Sequence, residues 1–264
     1  MNVKKSNKKV VLELLSACNL KCKHCFYRNL KIDSNSFLPK KEAFRLVNKF
    51  KKNKIEKVVL TGGEPTIHPN FVEISKYAIK NIGSVSLCTN GFISDNILMN
   101  EIVSMNFSGY TVSIDSHIEK EHDIFRGKNG AWKRAIYFLK KLKESEKKIS
   151  IHIVLHIDNI DDIEETIRFC KKFDCEIVVG TIYFNEAYFK KNNFSDERKN
   201  NYINKLKKFK IKHKNDKSII MVGFYEYCKN SNCLDQKNIF MINKNGCLVK
   251  CYWKKNGGQV IKKY

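Results

Sequence analysis

Six short apolar runs, each followed by a stretch with helical spacing, recur between Val10 and Val179. Val10–Leu15, Val58–Thr61, Val85–Cys88, Tyr110–Ile114, Ile149–Ile157 and Glu176–Val179 read as strands. The first gap holds Ala43, Phe44, Leu46, Val47 and Phe50 at helical intervals after Pro39, a residue suited to a helix start. Asn70 precedes a second helix with Phe71, Ile74, Tyr77 and Ala78 on one face, and a third runs to about Met105. A loop carrying Arg126 is expected after the fourth strand, then helices over about Gly130–Ser145 and Asp161–Phe173. Strands alternating with helices at this pitch predict an α/β fold built of βα units, with a parallel, right-handed sheet or barrel.

Beyond the sixth strand the pattern changes. Ser195–Lys210 reads as an amphipathic helix, and Ile239–Ile242 and Cys247–Cys251 flank Asn245-Gly246. Asn-Gly between two apolar runs is the favoured hairpin turn. No apolar run reaches the length needed to span a bilayer, and the basic start Met1–Lys9 is not a secretory signal. Ten cysteines without an export signal point to metal ligation or buried thiols in a reducing cytoplasm. The net charge of +23 could attract nucleic acid or an acidic partner. Its lysines are scattered with asparagines and not interleaved with aromatics in one stripe, so nucleic-acid binding is not favoured.

Directly after the first strand comes Cys18-Asn19-Leu20-Lys21-Cys22-Lys23-His24-Cys25. Thiolates are soft ligands that select zinc or iron–sulfur clusters. Three thiols on one short loop leave one position of a zinc tetrahedron, or one iron of a 4Fe–4S cube, without a local ligand. A redox pair at Cys22 and Cys25 is a further reading. The loops at the carboxyl ends of barrel strands carry the chemistry in βα barrels. The cysteine loop, Gly62-Gly63-Glu64-Pro65, Thr89-Asn90-Gly91 and the pair Ser113 and Asp115 all fall at such ends. Four sequence-distant features therefore meet on one rim, which points to an enzyme.

The octet resembles the C-x₃-C-x₂-C signature of the radical S-adenosylmethionine enzymes, with His24 in the aromatic place before the last cysteine. The resemblance runs from about Val10 to Val179 and implies a partial (βα)6 barrel of the TIM-like kind. It implies a catalytic 4Fe–4S cluster on Cys18, Cys22 and Cys25, with S-adenosylmethionine on the free iron. Gly62, Gly63 and Glu64 match the family's Gly-Gly-Glu segment, which contacts the methionine amino group; glycines suit a close backbone approach to a ligand there. Asn90, Ser113 and Arg126 match positions that contact the ribose hydroxyls and the methionine carboxylate. A surface arginine is the alternative for Arg126. No residue is assigned as the catalytic acid or base. His152 and His156 share a strand face that could look into the barrel, or they are hydrogen-bonded core residues. Cys88 reads as a buried small hydrophobe, and Cys170 and Cys175 as non-ligands.

Cys228, Cys233, Cys247 and Cys251 gather in the last part of the chain. Four thiols can complete a zinc site or a second cluster. Cys233, a hairpin and Gly246-x₄-Cys251 resemble the start of the SPASM/Twitch extension, which carries an auxiliary cluster. Further cysteines of a full SPASM domain do not follow before Tyr264, so the shorter Twitch form is expected. Cys247 as fourth ligand rests on local geometry. The expected organisation is a barrel over 1–180 and a small hairpin and helix extension over 181–264. The leading function is modification of a ribosomally made peptide by epimerisation, crosslinking or a related oxidation. Such an enzyme draws electrons from a low-potential donor of the flavodoxin or ferredoxin type. A small-molecule dehydrogenase or cyclase is the second reading, and a non-enzymatic basic zinc protein binding RNA is the third.

Overall fold

The computed structural model describes residues 8–25, 37–181, 194–222, 239–249 and 260–263. Its strands are β1 (Lys9–Glu13), β2 (Lys57–Thr61), β3 (Ser84–Thr89), β4 (Gly109–Ser113), β5 (Ile149–Leu155) and β6 (Glu176–Thr181). After these come β7 (Ile219–Val222), β8 (Ile239–Ile242), β9 (Cys247–Val249) and β10 (Val260–Lys263). All ten belong to one sheet, ordered β10-β9-β8-β1-β2-β3-β4-β5-β6-β7. From β1 to β7 every pairing is parallel, as the βα repeat requires.

The helices are α1 (Lys40–Lys52), α2 (Phe71–Asn81), α3 (Asn96–Ser104), α4 (Glu119–Arg126), α5 (Ala131–Glu144), α6 (Ile163–Lys171) and α7 (Asp196–Lys212). Local chemistry sets two of their starts. Asp95 accepts hydrogen bonds from Ile97 N and Leu98 N at the head of α3, and Ser195 accepts one from Arg198 N at the head of α7.

Alternate residues along the strands separate two faces. Val10, Leu12, Val58, Leu60, Val85, Leu87, Tyr110, Val112, Ile151, Ile153, Ile177 and Val179 are each at most 2% exposed. They form one core with Leu46, Phe50, Ile74, Met99, Phe138 and Ile167 of the helices. Each such aliphatic side chain contributes about 1.5–3 kcal/mol on burial, which fixes the strand register. The residues between them, including Val59, Ser86, Cys88, Thr111, Ser113, His152 and Val178, are only half-buried and form the opposite face.

The expected α/β architecture is therefore present, with two differences. Arg126 closes a helix, α4, and does not ride on a loop; Gly127, at φ +66°, caps it. The sheet extends past six strands, with β7 added to β6 and β8 laid parallel to β1. The Asn245-Gly246 hairpin forms as expected, β8 against β9, with Gly246 at φ +70°. Its first arm is continuous with the barrel sheet, because Ile242 is fully buried in the same core.

Candidate active site

The cysteine loop leaves β1 and is tied by backbone hydrogen bonds on two sides. Gly63 N donates to Leu15 O at 2.8 Å and Glu64 N to Ala17 O at 2.9 Å. On the other side Lys21 N donates to Arg126 O at 3.0 Å and Lys23 N to Phe125 O at 2.9 Å. The glycines permit this contact. A Cβ on Gly62 would stand 2.3 Å from Leu15 O, one on Gly63 2.0 Å from Ala17 O, and one on Gly127 2.5 Å from Lys21 O. Gly62 and Gly63 thus lie against the cysteine loop's own backbone.

Cys22 is buried with Leu20 and Ala131, and Cys18, Cys25 and Phe92 pack against that group. Three N–H groups face the sulfurs: Leu20 N at 3.4 Å and Asn90 Nδ2 at 3.6 Å from Cys18 Sγ, and Arg126 Nη1 at 3.9 Å from Cys22 Sγ. Burial pushes the Cys18 thiol up to about 12, with the nearby Glu64 and the other two cysteines adding repulsion. Burial raises Cys22 as well, and the Arg126 guanidinium opposes it. A metal centre supplies the positive charge that lets such clustered thiols ionise. Among the described residues no three His, Cys, Asp or Glu side chains are placed to hold a single metal ion. A cube takes each thiolate on a different iron and needs no such convergence. The donor set and the N–H groups aimed at sulfur fit a three-cysteine cluster.

Glu64 is 1% exposed and joins two rim loops. Its Oε1 accepts from Thr66 N at 3.2 Å, Thr66 Oγ1 at 2.7 Å and Thr89 Oγ1 at 2.8 Å, and its Oε2 from Asn90 N at 2.7 Å. Burial raises its pKa, and these donors work against that shift. Asn90 Nδ2 also donates to Asn19 Oδ1 at 2.8 Å, while Asn90 Oδ1 accepts from Phe92 N at 2.7 Å. Asn19, which donates to Phe92 O at 2.8 Å, is a site residue that the sequence reading passed over. Its place inside the octet was the available signal.

Arg126 is no surface arginine. Its side chain is 6% exposed, and its Nε meets Asp115 Oδ2 at 2.6 Å. Asp115 Oδ1 also accepts from Val154 N at 2.9 Å. Burial disfavours the Asp115 carboxylate, but the Arg126 charge, joined by His24, His122 and the Val154 N–H, together outweighs it and holds the group below the usual carboxylate range. With Nε on Asp115 and Nη1 at Cys22, Arg126 Nη2 is buried without a hydrogen-bond partner among the described residues. Ser113 ends β4 half-buried, in register with His152.

His24 stacks on Phe125, with centroids 4.7 Å apart, and Phe125 stacks on His156 at 3.6 Å. Burial lowers His24 to about 3, and its Nδ1 is buried without a partner among the described residues. His156 lies past the end of β5 and accepts from Asp158 N, so it is the hydrogen-bonded core residue of the two alternatives. His152 faces inward over Gly180, where a Cβ would stand 2.8 Å from its Nε2. Burial brings its pKa down to about 4, so the imidazole is neutral.

Cys88 requires a correction. It lies half-buried on the polar face of β3 with Ser84 and Ser86, because the period-two alternation gives the core side to Val85 and Leu87. Cys170 is buried in the core, and Cys175 Sγ donates to its carbonyl at 3.3 Å. Cys228, Cys233 and Cys251 lie outside the described residues. Cys247 opens β9 half-buried, with its Sγ 3.7 Å from Asn245 O.

Residues 12–170 match the family described as the Radical SAM superfamily. That span is more than half of the chain, and the chain belongs to this family. Its members are enzymes that use a 4Fe–4S cluster and S-adenosylmethionine. Over 154 residues the chain is 28% identical to the Fe-coproporphyrin III synthase of Methanosarcina barkeri, covering 58% of this chain and 38% of that protein. It is 24% identical over 159 residues to the sporulation killing factor maturation protein SkfB of Bacillus subtilis, covering 60% and 38% respectively. The chain spans between 38% and 47% of the length of the first relatives it matches. Streptococcus suis SuiB bound to S-adenosylmethionine superposes with a TM-score of 0.72 at 17% identity, over 96% of this chain and 62% of that one. SuiB bound to the precursor peptide SuiA gives 0.70 at 19%, over 95% and 62%. No helix among the described residues is long and apolar enough to cross a membrane.

Proposed function

We propose that this chain cleaves S-adenosylmethionine reductively and uses the radical so formed to modify a ribosomally made peptide. Cys18, Cys22 and Cys25 hold the cluster. Gly62, Gly63, Glu64, Asn90, Ser113 and Arg126 cradle the cofactor, with His24 closing the loop against Phe125. When bound, the cluster and cofactor supply a 5′-deoxyadenosyl radical able to take a hydrogen atom from a substrate carbon. The chain's own part is to brace, orient and exclude water. Arg126 Nη2, buried and without a partner among the described residues, is the observation that carries this reading, because such a donor calls for an anionic partner such as a carboxylate. The electron comes from a low-potential flavodoxin or ferredoxin type donor, and the protein works in the cytoplasm.

The peptide reading draws on SkfB, named as a maturation protein, and on SuiB with its precursor peptide. In this reading residues 181–264 form a Twitch-like extension whose Cys228, Cys233, Cys247 and Cys251 hold an auxiliary cluster. The inner barrel face favours a second reading, a small polar metabolite. Thr61, Cys88, Thr111, Ser113 and His152 line it half-buried, and relatives include proteins named "Probable GTP 3′,8-cyclase" and "AdoMet-dependent heme synthase". Anaerobic reconstitution followed by reduction should yield 5′-deoxyadenosine. Mass change in peptides encoded beside the gene supports the peptide reading; turnover of a metabolite with every peptide unchanged ends it.

A further inference from the structure

The Arg126–Asp115 pair has a direction as well as a charge. Asp115 grips the guanidinium from its Nε edge at 2.6 Å, and the opposite edge turns Nη1 toward Cys22 Sγ at 3.9 Å. Both side chains are almost completely buried, at 6% and 0% exposure, so solvent screens the arrangement little. The positive end of a fixed dipole therefore points at one sulfur of the cysteine loop. Asp115 cannot swing away, because its second oxygen holds Val154 N and its backbone carbonyl accepts from Asn159 Nδ2 at 2.8 Å. Arg126 is likewise held, since its carbonyl accepts from Lys21 N within the cysteine loop.

Hydrogen bonds to cluster sulfurs and the net charge around a cluster set its reduction potential. Reduction adds one electron to the cluster, and a positive group at the sulfur stabilises the added negative charge. We infer that Arg126, oriented by Asp115 against Cys22, is a positioning residue that raises the reduction potential of the cluster, separate from any contact its Nη2 makes with the cofactor. The inference rests on the three-cysteine cluster proposed above.

The two ends of the dipole give the test its signs. Arg126→Gln removes the positive end and leaves a buried carboxylate, so reduction becomes harder. Asp115→Asn removes the negative end and leaves the guanidinium uncompensated, so reduction becomes easier. The double variant falls between them. Arg126→Lys keeps the charge without the planar fork and shifts less than Arg126→Gln.

The measurement is redox potentiometry of the anaerobically reconstituted full chain without S-adenosylmethionine, followed by the electron paramagnetic resonance of the reduced cluster. A tenfold change in the reduced-to-oxidised ratio at fixed poise, 59 mV for one electron, is expected for Arg126→Gln and for Asp115→Asn, in opposite directions. To keep an auxiliary cluster from masking the shift, the parent and the four variants are also compared in a Cys228→Ala, Cys233→Ala, Cys251→Ala background. Shifts in the same direction, or midpoints indistinguishable from the parent, overturn the inference while leaving the cluster reading intact. Wild-type protein that assembles no iron–sulfur chromophore sinks the cluster reading itself.

Discussion

Two cysteine-bearing regions sit on the same sheet and are built differently. The loop after β1 is sewn to the Gly62–Glu64 segment and to the end of α4 by four backbone hydrogen bonds, and N–H groups face its sulfurs. At Cys247, by contrast, the local order comes from a turn, in which Asn243 Oδ1 accepts from Asn245 N and Cys247 N, each at 3.0 Å. The first region is held by the Gly62–Glu64 and Asn90–Phe92 loops and by α4; around Cys247 the turn supplies its own side-chain hydrogen bonds, and the hairpin is anchored through β8 on β1, β9 on β10 and Lys244 Nζ on Ser16 Oγ at 2.9 Å. A site preorganised by distant elements is suited to a reactive centre, whereas a turn-held thiol suits a ligand that a metal itself draws into place.

The largest effect that separates the two regions is on activity. Cys22→Ala should reduce 5′-deoxyadenosine formation to the level seen without enzyme. Cys247→Ala should leave that reaction largely intact while lowering the iron bound per chain. Iron and sulfide assays beside product chromatography check both, and equal loss of activity in the two variants would erase the distinction.

Backbone packing comes next. Gly63→Ala puts a Cβ 2.0 Å from Ala17 O and 2.5 Å from Ser16 O, where only backbone could yield. A loss of about 3 kcal/mol or more is expected, seen as a lower denaturation midpoint together with poor cluster loading.

Acid should loosen the first region before the second. His122 is depressed to about 4 and His156 to about 3, in both cases chiefly by burial. Both folded values lie below the unfolded value of about 6.5, so the unfolded chain binds more protons in acid. Their contribution is complete above that pH and is lost progressively as pH falls toward 4, by a few kcal/mol in all. Hydrogen-exchange protection factors at α4 and the loop after β5 should fall between pH 6.5 and 4, with β8 and β9 less affected. Uniform exchange across both regions would count against it.

The smallest effect belongs to the hairpin. Gly246→Ala at φ +70° meets Glu42 Oε1 at 2.8 Å, the end of a side chain that can move. About 1–2 kcal/mol of left-handed strain is the expected cost, with 5′-deoxyadenosine formation unchanged.

Much of this molecule was readable from residue order alone, for reasons that differ by element. Val10–Leu15 and its five successors are apolar because parallel strands are covered by helices, so they stand out without knowledge of their partners. The octet Cys18–Cys25 is local, and its spacing states its chemistry. Asn245-Gly246 names its turn because few residue pairs accept that backbone. Arg126 is different. Its burial depends on Asp115, eleven positions earlier, and on Cys22, more than a hundred positions away. Nothing in Asp-Ile-Phe-Arg-Gly distinguishes a surface guanidinium from one locked in the site. Cys88 departs from the sequence expectation for a related reason, since its face follows the strand alternation and not the apolarity of its neighbours.

The sequence by itself determined the βα repeat, the three-thiol loop and the glycine turns, because each depends on side chains within a few residues of one another. Only the tertiary structure decided that Gly62 and Gly63 touch the cysteine loop, that β8 lies beside β1, and that Arg126 turns one edge to Asp115 and the other to Cys22. Those outcomes depend on which distant surfaces meet, and packing of the whole core selects among pairings that local patterns leave equivalent.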